Sequence, residues 1–370
     1  MTLALDPSSP VSATLSRDIA ELRLVRLWLY GIALLITVMV TVGGATRLTD
    51  SGLSITEWKP ILGAIPPLNA VDWQEAFDKY RQIPEYQEIN KGMSLEAFKV
   101  IYWWEWAHRF LGRIIGLVFF VPAATFWMLG YLPGALKPKI VGLFLLGGLQ
   151  GAIGWWMVAS GLVDRVDVSQ YRLGVHLTLA FFLFAAILWV AFGLRQRAAE
   201  DHPPFALTGV KILTVLLFLQ IFFGALVAGL DAGLYYNSWP LIDDAFIPGG
   251  LVEIAPVYLN LFENIKTVQF THRMLAYLLI AATIAYSVYL FFANVSKRAK
   301  IAGILFVVAL FWQAYLGIIT LLNAVPIELG LTHQAVALGI LALFIWHWRA
   351  LAGGYRFKRE AIQPVLREER

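Results

Sequence analysis

The chain has 370 residues, 59% hydrophobic and only 15% charged, with a formal net charge of +4; a soluble domain carries roughly 25% charged residues. It has no cysteine, which excludes disulfides, thiolate metal centres, iron–sulfur clusters and thiol nucleophiles. Its basic residues are dispersed among short polar segments, a membrane-topology pattern that implies no nucleic-acid partner.

In chain order, residues 1–26 form a polar segment with Arg17, Arg23 and Arg26 beside Asp6, Asp18 and Glu21, expected on the cytoplasmic side. Uncharged windows of 19 or more residues follow at 27–46, 114–136, 140–163, 173–194, 212–230, 274–296, 301–327 and 329–348. About 20 helical residues cross a bilayer, so each window predicts a span. The first is too long for a signal h-region and reads as an uncleaved helix. With a cytoplasmic N-terminus, the inside segments hold Lys137 and Lys139, Arg195 and Arg197, Lys297, Arg298 and Lys300, and a basic tail over 353–370. The outside loops after spans three, five and seven hold few basic residues, which is the positive-inside bias. The expected fold is all-α and polytopic, with both termini cytoplasmic. The long outside loop carries Trp58, Trp73, Tyr80 and Tyr86, expected as an interfacial cover or as anchors at the membrane surface.

The two halves of the chain repeat. Asp50-Ser51-Gly52-Leu53 and Trp58 match Asp231-Ala232-Gly233-Leu234 and Trp239, 181 residues on. His108-Arg109 matches His272-Arg273 at 164, Gln150 matches Gln313 at 163, and His176 matches His333 at 157. Four spans per half preserve orientation, so the expectation is two pseudo-symmetric four-helix bundles, 27–200 and 201–352, related by an axis along the membrane normal.

Those four histidines fall near the starts of spans two, four, six and eight, all on the outer side. Ionisable side chains near hydrocarbon are costly and mark sites. A set with no cysteine, no acidic cluster and abundant Trp, Phe and Gly suits a flat apolar ligand better than hydrated zinc or magnesium. Two neutral imidazoles from facing helices can clamp one haem. Pairing within each half joins His108 to His176 and His272 to His333; pairing across the halves is equally compatible with the order. Gly112 and Gly116 form a small-residue stripe on the His108 side, serving either a porphyrin plane or tight helix packing. Arg109, Arg113 and Arg273 match carboxylates such as propionates, with structural ion pairs to Glu105 as the other use. His202 and His347 read as loop and interface residues.

One substitution breaks the repeat. Three residues before His108 stands Glu105; three before His272 stands Gln269. A carboxyl group beside a haem edge can act as general base or stabilise developing positive charge. Pairing with Arg109 is the structural alternative. The asymmetry assigns a substrate haem to the first half and a retained haem to the second.

The run Gly43-Gly44-Ala45-Thr46-Arg47-Leu48-Thr49-Asp50-Ser51-Gly52-Leu53-Ser54, with Glu105-Trp106-Ala107-His108-Arg109, Thr271-His272-Arg273 and Thr332-His333-Gln334, resembles the haem A synthase family. The resemblance extends from the first span to the last. It implies haem B held as cofactor by His272 and His333 through the iron. It also implies haem O as substrate, with His108 and His176 as its iron ligands and Glu105 as the catalytic residue. The implied reaction is oxidation of the porphyrin C8 methyl to a formyl group, producing haem A for terminal oxidases. The implied setting is the inner (plasma) membrane. A protohaem farnesyltransferase supplies haem O, an unidentified electron acceptor takes the electrons, membrane lipids surround the chain, and homo-oligomerisation stays open. Some bacterial members carry a cysteine pair in an outside loop; its absence here places this chain nearer the mitochondrial and proteobacterial type. The competing readings are a bis-histidine dihaem b-type cytochrome and a transporter built from parallel repeats. The transporter predicts a midplane site, whereas the histidines cluster near one face.

Overall fold

The computed structural model describes residues 10–195, 197–355 and 357. The expected cytoplasmic segment 1–26 and basic tail 353–370 therefore lie partly outside the described residues. The fold is all-helical: α1 (Pro10–Leu48), α2 (Ala70–Tyr80), α3 (Leu95–Met128), α4 (Lys137–Val158), α5 (Gln170–Gly193), α6 (Pro204–Gly229), the short α7 (Ala232–Tyr235) and α8 (Asn260–Glu263), α9 (Ile265–Phe292), α10 (Lys297–Leu322) and α11 (Ile327–Ala352). Eight of these are long and apolar enough to cross a membrane.

Helix limits follow from local chemistry. Side-chain oxygens of Asn69, Ser94, Asn264 and Ser296 accept from backbone N–H groups in the first turns of α2, α3, α9 and α10, satisfying donors that have no intrahelical partner. The repeated Asp-x-Gly-Leu motif is a helix stop. Asp50 and Asp231 adopt left-handed backbone, φ 48° and 49°, a conformation that Asp tolerates better than most residues. Beyond Asp50, the Ser51 N–H reaches back to the Thr46 carbonyl at 2.9 Å, closing the end of α1.

Neighbouring helices close two rings. In the first, α1 packs on α3 and α5, and α4 on α3 and α5; in the second, α6 packs on α9 and α11, and α10 on α9 and α11. The rings meet where α1 and α5 touch α11 and α5 touches α6. The main core lies along this seam, with Leu29, Ile32 and Phe181 of the first ring and Leu213, Leu341 and Phe344 of the second all buried. α3 turns most of its apolar surface outward, Leu117, Phe120 and Val121 among it, as a lipid-facing helix does.

The window at 114–136 misplaces the second span. α3 begins at Leu95 and ends at Met128, and Gly130 turns the chain with φ 76°. Glu105, Arg109 and Arg113 sit within this helix because their charges are met by one another and by loop backbone, so a window that stops at charges starts too late. A second small core caps the histidine end, formed by Leu53, Phe77, Tyr80, Ile83, Tyr86, Phe98, Tyr102 and Val168. Tyr80 is 0% exposed and Tyr86 is buried, so these two are not surface anchors; they fasten α2 and the following turn onto α3.

Candidate functional site

The four repeated histidines project from the N-terminal halves of α3, α5, α9 and α11, at one end of the bundle. Each ring lies against a glycine of an adjacent helix. A Cβ on Gly43 of α1 would stand 2.7 Å from His108 Cε1; on Gly154 of α4, 2.9 Å from His176 Cε1; on Gly224 of α6, 3.0 Å from His272 Cε1; and on Gly317 of α10, 3.0 Å from His333 Cε1. No larger residue fits without moving the imidazole. His108 lies within electrostatic range of His176, and His272 of His333.

Glutamines lie against three of the histidines. The amide nitrogen of Gln150 donates to the His176 carbonyl at 3.1 Å and lies 3.2 Å from His176 Nδ1. Its repeat partner Gln313 donates to the His333 carbonyl at 2.9 Å. Gln220 Nε2 lies 3.1 Å from His272 Nδ1. The position equivalent to Gln220 in the first half, 181 residues earlier, is Met39, and His108 Nδ1 is buried without a partner, as is His333 Nδ1. Buried polar atoms are normally paired. Imidazoles backed by glycine, two of them with Nδ1 unpaired, could hold haem iron.

Glu105 is 2% exposed. One carboxylate oxygen accepts from Arg109 Nη2 at 2.6 Å; the other accepts from Ser54 Oγ and the Ile55 N–H, both at 2.7 Å. Gln269 occupies the same place in the second half but with reversed polarity. Its amide nitrogen donates to the carbonyls of Ala232 (2.9 Å) and Tyr236 (3.1 Å), while its oxygen accepts from Arg273 at 2.9 Å. Tyr236 is the repeat partner of Ile55, so the same loop position presents an N–H to the carboxylate and a C=O to the amide.

The arginines bond loop backbone, while Arg113 Nη1 is buried without a partner. Arg109 also donates to the carbonyls of Ile55 (2.7 Å) and Glu57 (3.0 Å), and Arg113 to those of Lys59 (2.9 Å) and Pro60 (2.8 Å). Arg273 binds the Ser238 carbonyl at 2.8 Å. Gly112 faces Met39, whereas the space beside Gly116 is open. His202 sits in a loop against the Pro203 carbonyl. His347 is no interface residue: it is 0% exposed and bonds the Tyr286 hydroxyl at 2.8 Å.

Gly154, Gly224, Gly317 and Gln220 escaped the sequence reading, and Gly43 and Ser54 stood in the motif run without a role. Two of the glycine pairs carry a usable signal: Gly43 and Gly224 are 181 apart, and Gly154 and Gly317 are 163 apart, the offsets of the flanking motifs. The cap holds a further buried acid, Glu85, whose carboxyl is pushed up to about 8, mainly by burial and then by the nearby Glu105 charge.

Fold and site together define a polytopic helical membrane protein with histidines arranged in repeated, glycine-backed pairs. The chain belongs to the cytochrome oxidase assembly protein family (COX15-CtaA), whose model matches residues 26–345. It is similar to the heme A synthase of Mesorhizobium japonicum, 52% identical over 97% of this chain and 99% of the relative. The heme A synthase of Chelativorans sp. is also 52% identical, over 95% and 98%. That of Agrobacterium fabrum is 51% identical over 93% and 95%.

Proposed function

We propose that this chain synthesises haem A, oxidising the C8 methyl of haem O to a formyl group by two successive hydroxylations and loss of water from the geminal diol. The observation that carries this reading is the glycine-backed histidine set combined with a carboxylate, Glu105, at only one of two equivalent positions. His108 and His176 of the first half (27–200) hold the substrate, and His272 and His333 of the second half (201–352) hold haem B. The halves are related by an axis along the membrane normal, both termini face the cytoplasm, and the sites lie toward the outer face of the inner membrane. Haem B would be held by His272 and His333 and would supply a one-electron redox centre.

The protein's own part is positional and electrostatic. Glycines 43 and 154 set the two substrate-side rings, and Gln150 holds the orientation of His176. Glu105 accepts hydrogen bonds from Ser54 Oγ, the Ile55 N–H and Arg109, which fix the position of its carboxylate beside the reacting edge. Haem O arrives from a farnesyltransferase; with water as the oxygen source, each methyl-to-formyl conversion releases four protons and four electrons, and the electrons leave to a separate acceptor.

The reading is tested by co-expressing the chain with a source of haem O, purifying it, extracting the bound haems and separating them with mass detection. Haem A or its hydroxylated precursor beside haem B, both oxidised products missing from a Glu105→Ala control, is the expected result. Haem B alone, with haem O available, overturns the synthase reading in favour of an electron-transfer cytochrome.

A further inference from the structure

From the loop after α1 into the first two residues of α2 the chain runs Pro60-Ile61-Leu62-Gly63-Ala64-Ile65-Pro66-Pro67-Leu68-Asn69-Ala70-Val71, twelve residues without a charge, flanked by Lys59 and Asp72. Its large apolar side chains point away from the protein: Ile61 is 83% exposed, Leu62 73%, Ile65 62%, Leu68 74% and Val71 75%. The adjoining α2 is different, with exposed Gln74, Glu75 and Asp78.

The first turn of this segment has its backbone met within the protein. Lys59 and Pro60 carbonyls take Arg113, the Gly63 N–H bonds the Lys59 carbonyl (3.0 Å), and the N–H groups of Ala64 and Ile65 bond the carbonyls of Ile61 and Leu62 (both 3.1 Å). Pro60, Pro66 and Pro67 have no N–H to satisfy, and the Leu68 N–H bonds the Asp72 carboxylate at 3.1 Å. The carbonyls that follow, from Gly63 to Leu68, need water or headgroups beside them, which suits the interfacial layer rather than the hydrocarbon core.

Its position along the bundle agrees. The partner helix α3 ends at Met128, where Lys137 stacks on Trp127 at 4.9 Å, an aromatic–basic pairing typical of a membrane boundary. Arg113 lies fourteen residues before Trp127, or about 21 Å along the helix, short of the ~30 Å needed to cross the hydrocarbon. The segment docked on Arg113 is thus at the level of the lipid at the histidine end, not above it.

We infer that residues 60–71 form an interfacial wedge at the histidine end of the bundle, its backbone at headgroup level and its apolar side chains reaching the acyl chains of that leaflet. The wedge continues directly from the stretch Ser54–Pro60 that bonds Glu105, Arg109 and Arg113. Lipid insertion therefore sets the depth at which that stretch, and the carboxylate it clamps, are held.

The cysteine-free chain allows single-site labelling without background. Leu62→Cys, Leu68→Cys, Phe120→Cys on the exposed face of α3 and Gln74→Cys on α2 are each spin-labelled in lipid nanodiscs. Collision with oxygen is compared with collision with a water-soluble nickel chelate. The expected result is that positions 62 and 68 match Phe120, with oxygen collisions several-fold above nickel, while Gln74 shows the reverse. Nickel access at 62 and 68 equal to that at Gln74 overturns the inference by placing the segment in water. Exclusion of both reagents overturns it too, by showing that protein, such as a second copy of the chain, covers the segment. Neither readout depends on haem or on catalysis.

Discussion

The imidazole of His176 rests against a residue with no side chain, and a methyl group there has nowhere to go. Gly154→Ala places a carbon 2.9 Å from the ring, so the ring must tilt. Misplacement of a reacting group by about an ångström costs on the order of 100-fold in rate; Gly154→Ala is expected to cut haem oxidation by roughly 10- to 100-fold. Gly151→Ala, one turn earlier on the same helix with open space around it, is the control and is expected to keep its turnover. Extracted-haem chromatography reads both, and equal activity in the two variants refutes the cradle. Glu105→Gln is a second test at this scale. It installs the residue found at the equivalent second-half position, but the loop still presents an N–H at Ile55 rather than a carbonyl. The new amide is matched poorly and the negative charge is lost. Haem content is expected to persist while product formation falls about 100-fold or more, the size of loss seen when a single preorganised electrostatic group is removed. Unchanged turnover removes Glu105 from the chemistry.

The cap built from α2 and the turn after it has its own titration. Glu85 is buried with its Oε2 unpartnered; Asn90 donates to the other oxygen at 3.3 Å, Tyr80 stands beside it, and the acids Glu105, Asp167 and Asp50 oppose its charge. With a folded-state value of about 8 against an ordinary value of 4.5, the folded cap binds a proton that the unfolded segment has released between those pH values. Stability contributed here is present below about 4.5 and declines as pH rises toward 8. Amide exchange across residues 77–98, corrected for intrinsic rate, is therefore expected to quicken between pH 6 and 8.5 and to lose that dependence in Glu85→Gln. A variant with the same pH dependence as the parent shows that another group is responsible. The elements themselves were largely legible in the sequence, since eight apolar stretches can do little else but span a bilayer. The start of α3 was not, because Glu105, Arg109 and Arg113 make a helix look polar until their loop partners are known.

Across the whole molecule, one arginine links the halves. Arg47, at the end of α1, donates to Asp231 at 2.8 Å and to the Ala228 carbonyl at 3.3 Å, both at the end of α6, and lies 3.3 Å from its own Asp50. Ala228 is the repeat position of Arg47 itself, so a single guanidinium serves both helix ends. A double-mutant cycle of Arg47→Ala and Asp231→Ala in detergent unfolding is expected to return a coupling of roughly 0.5–1 kcal/mol, the range for partly exposed ion pairs. Additive effects refute the link. The sequence by itself determined the helical membrane class, the repeat, the four histidines and the Glu105–Gln269 asymmetry, because each is a matter of residue type and spacing along one chain. The tertiary structure decided which glycine backs each ring, that the arginines serve loop carbonyls, that His347 is buried, and that the apolar run after Lys59 faces outward. These depend on which helices are neighbours and how they are rotated, and helices enclosed by apolar surroundings on every side carry little periodicity from which rotation can be read.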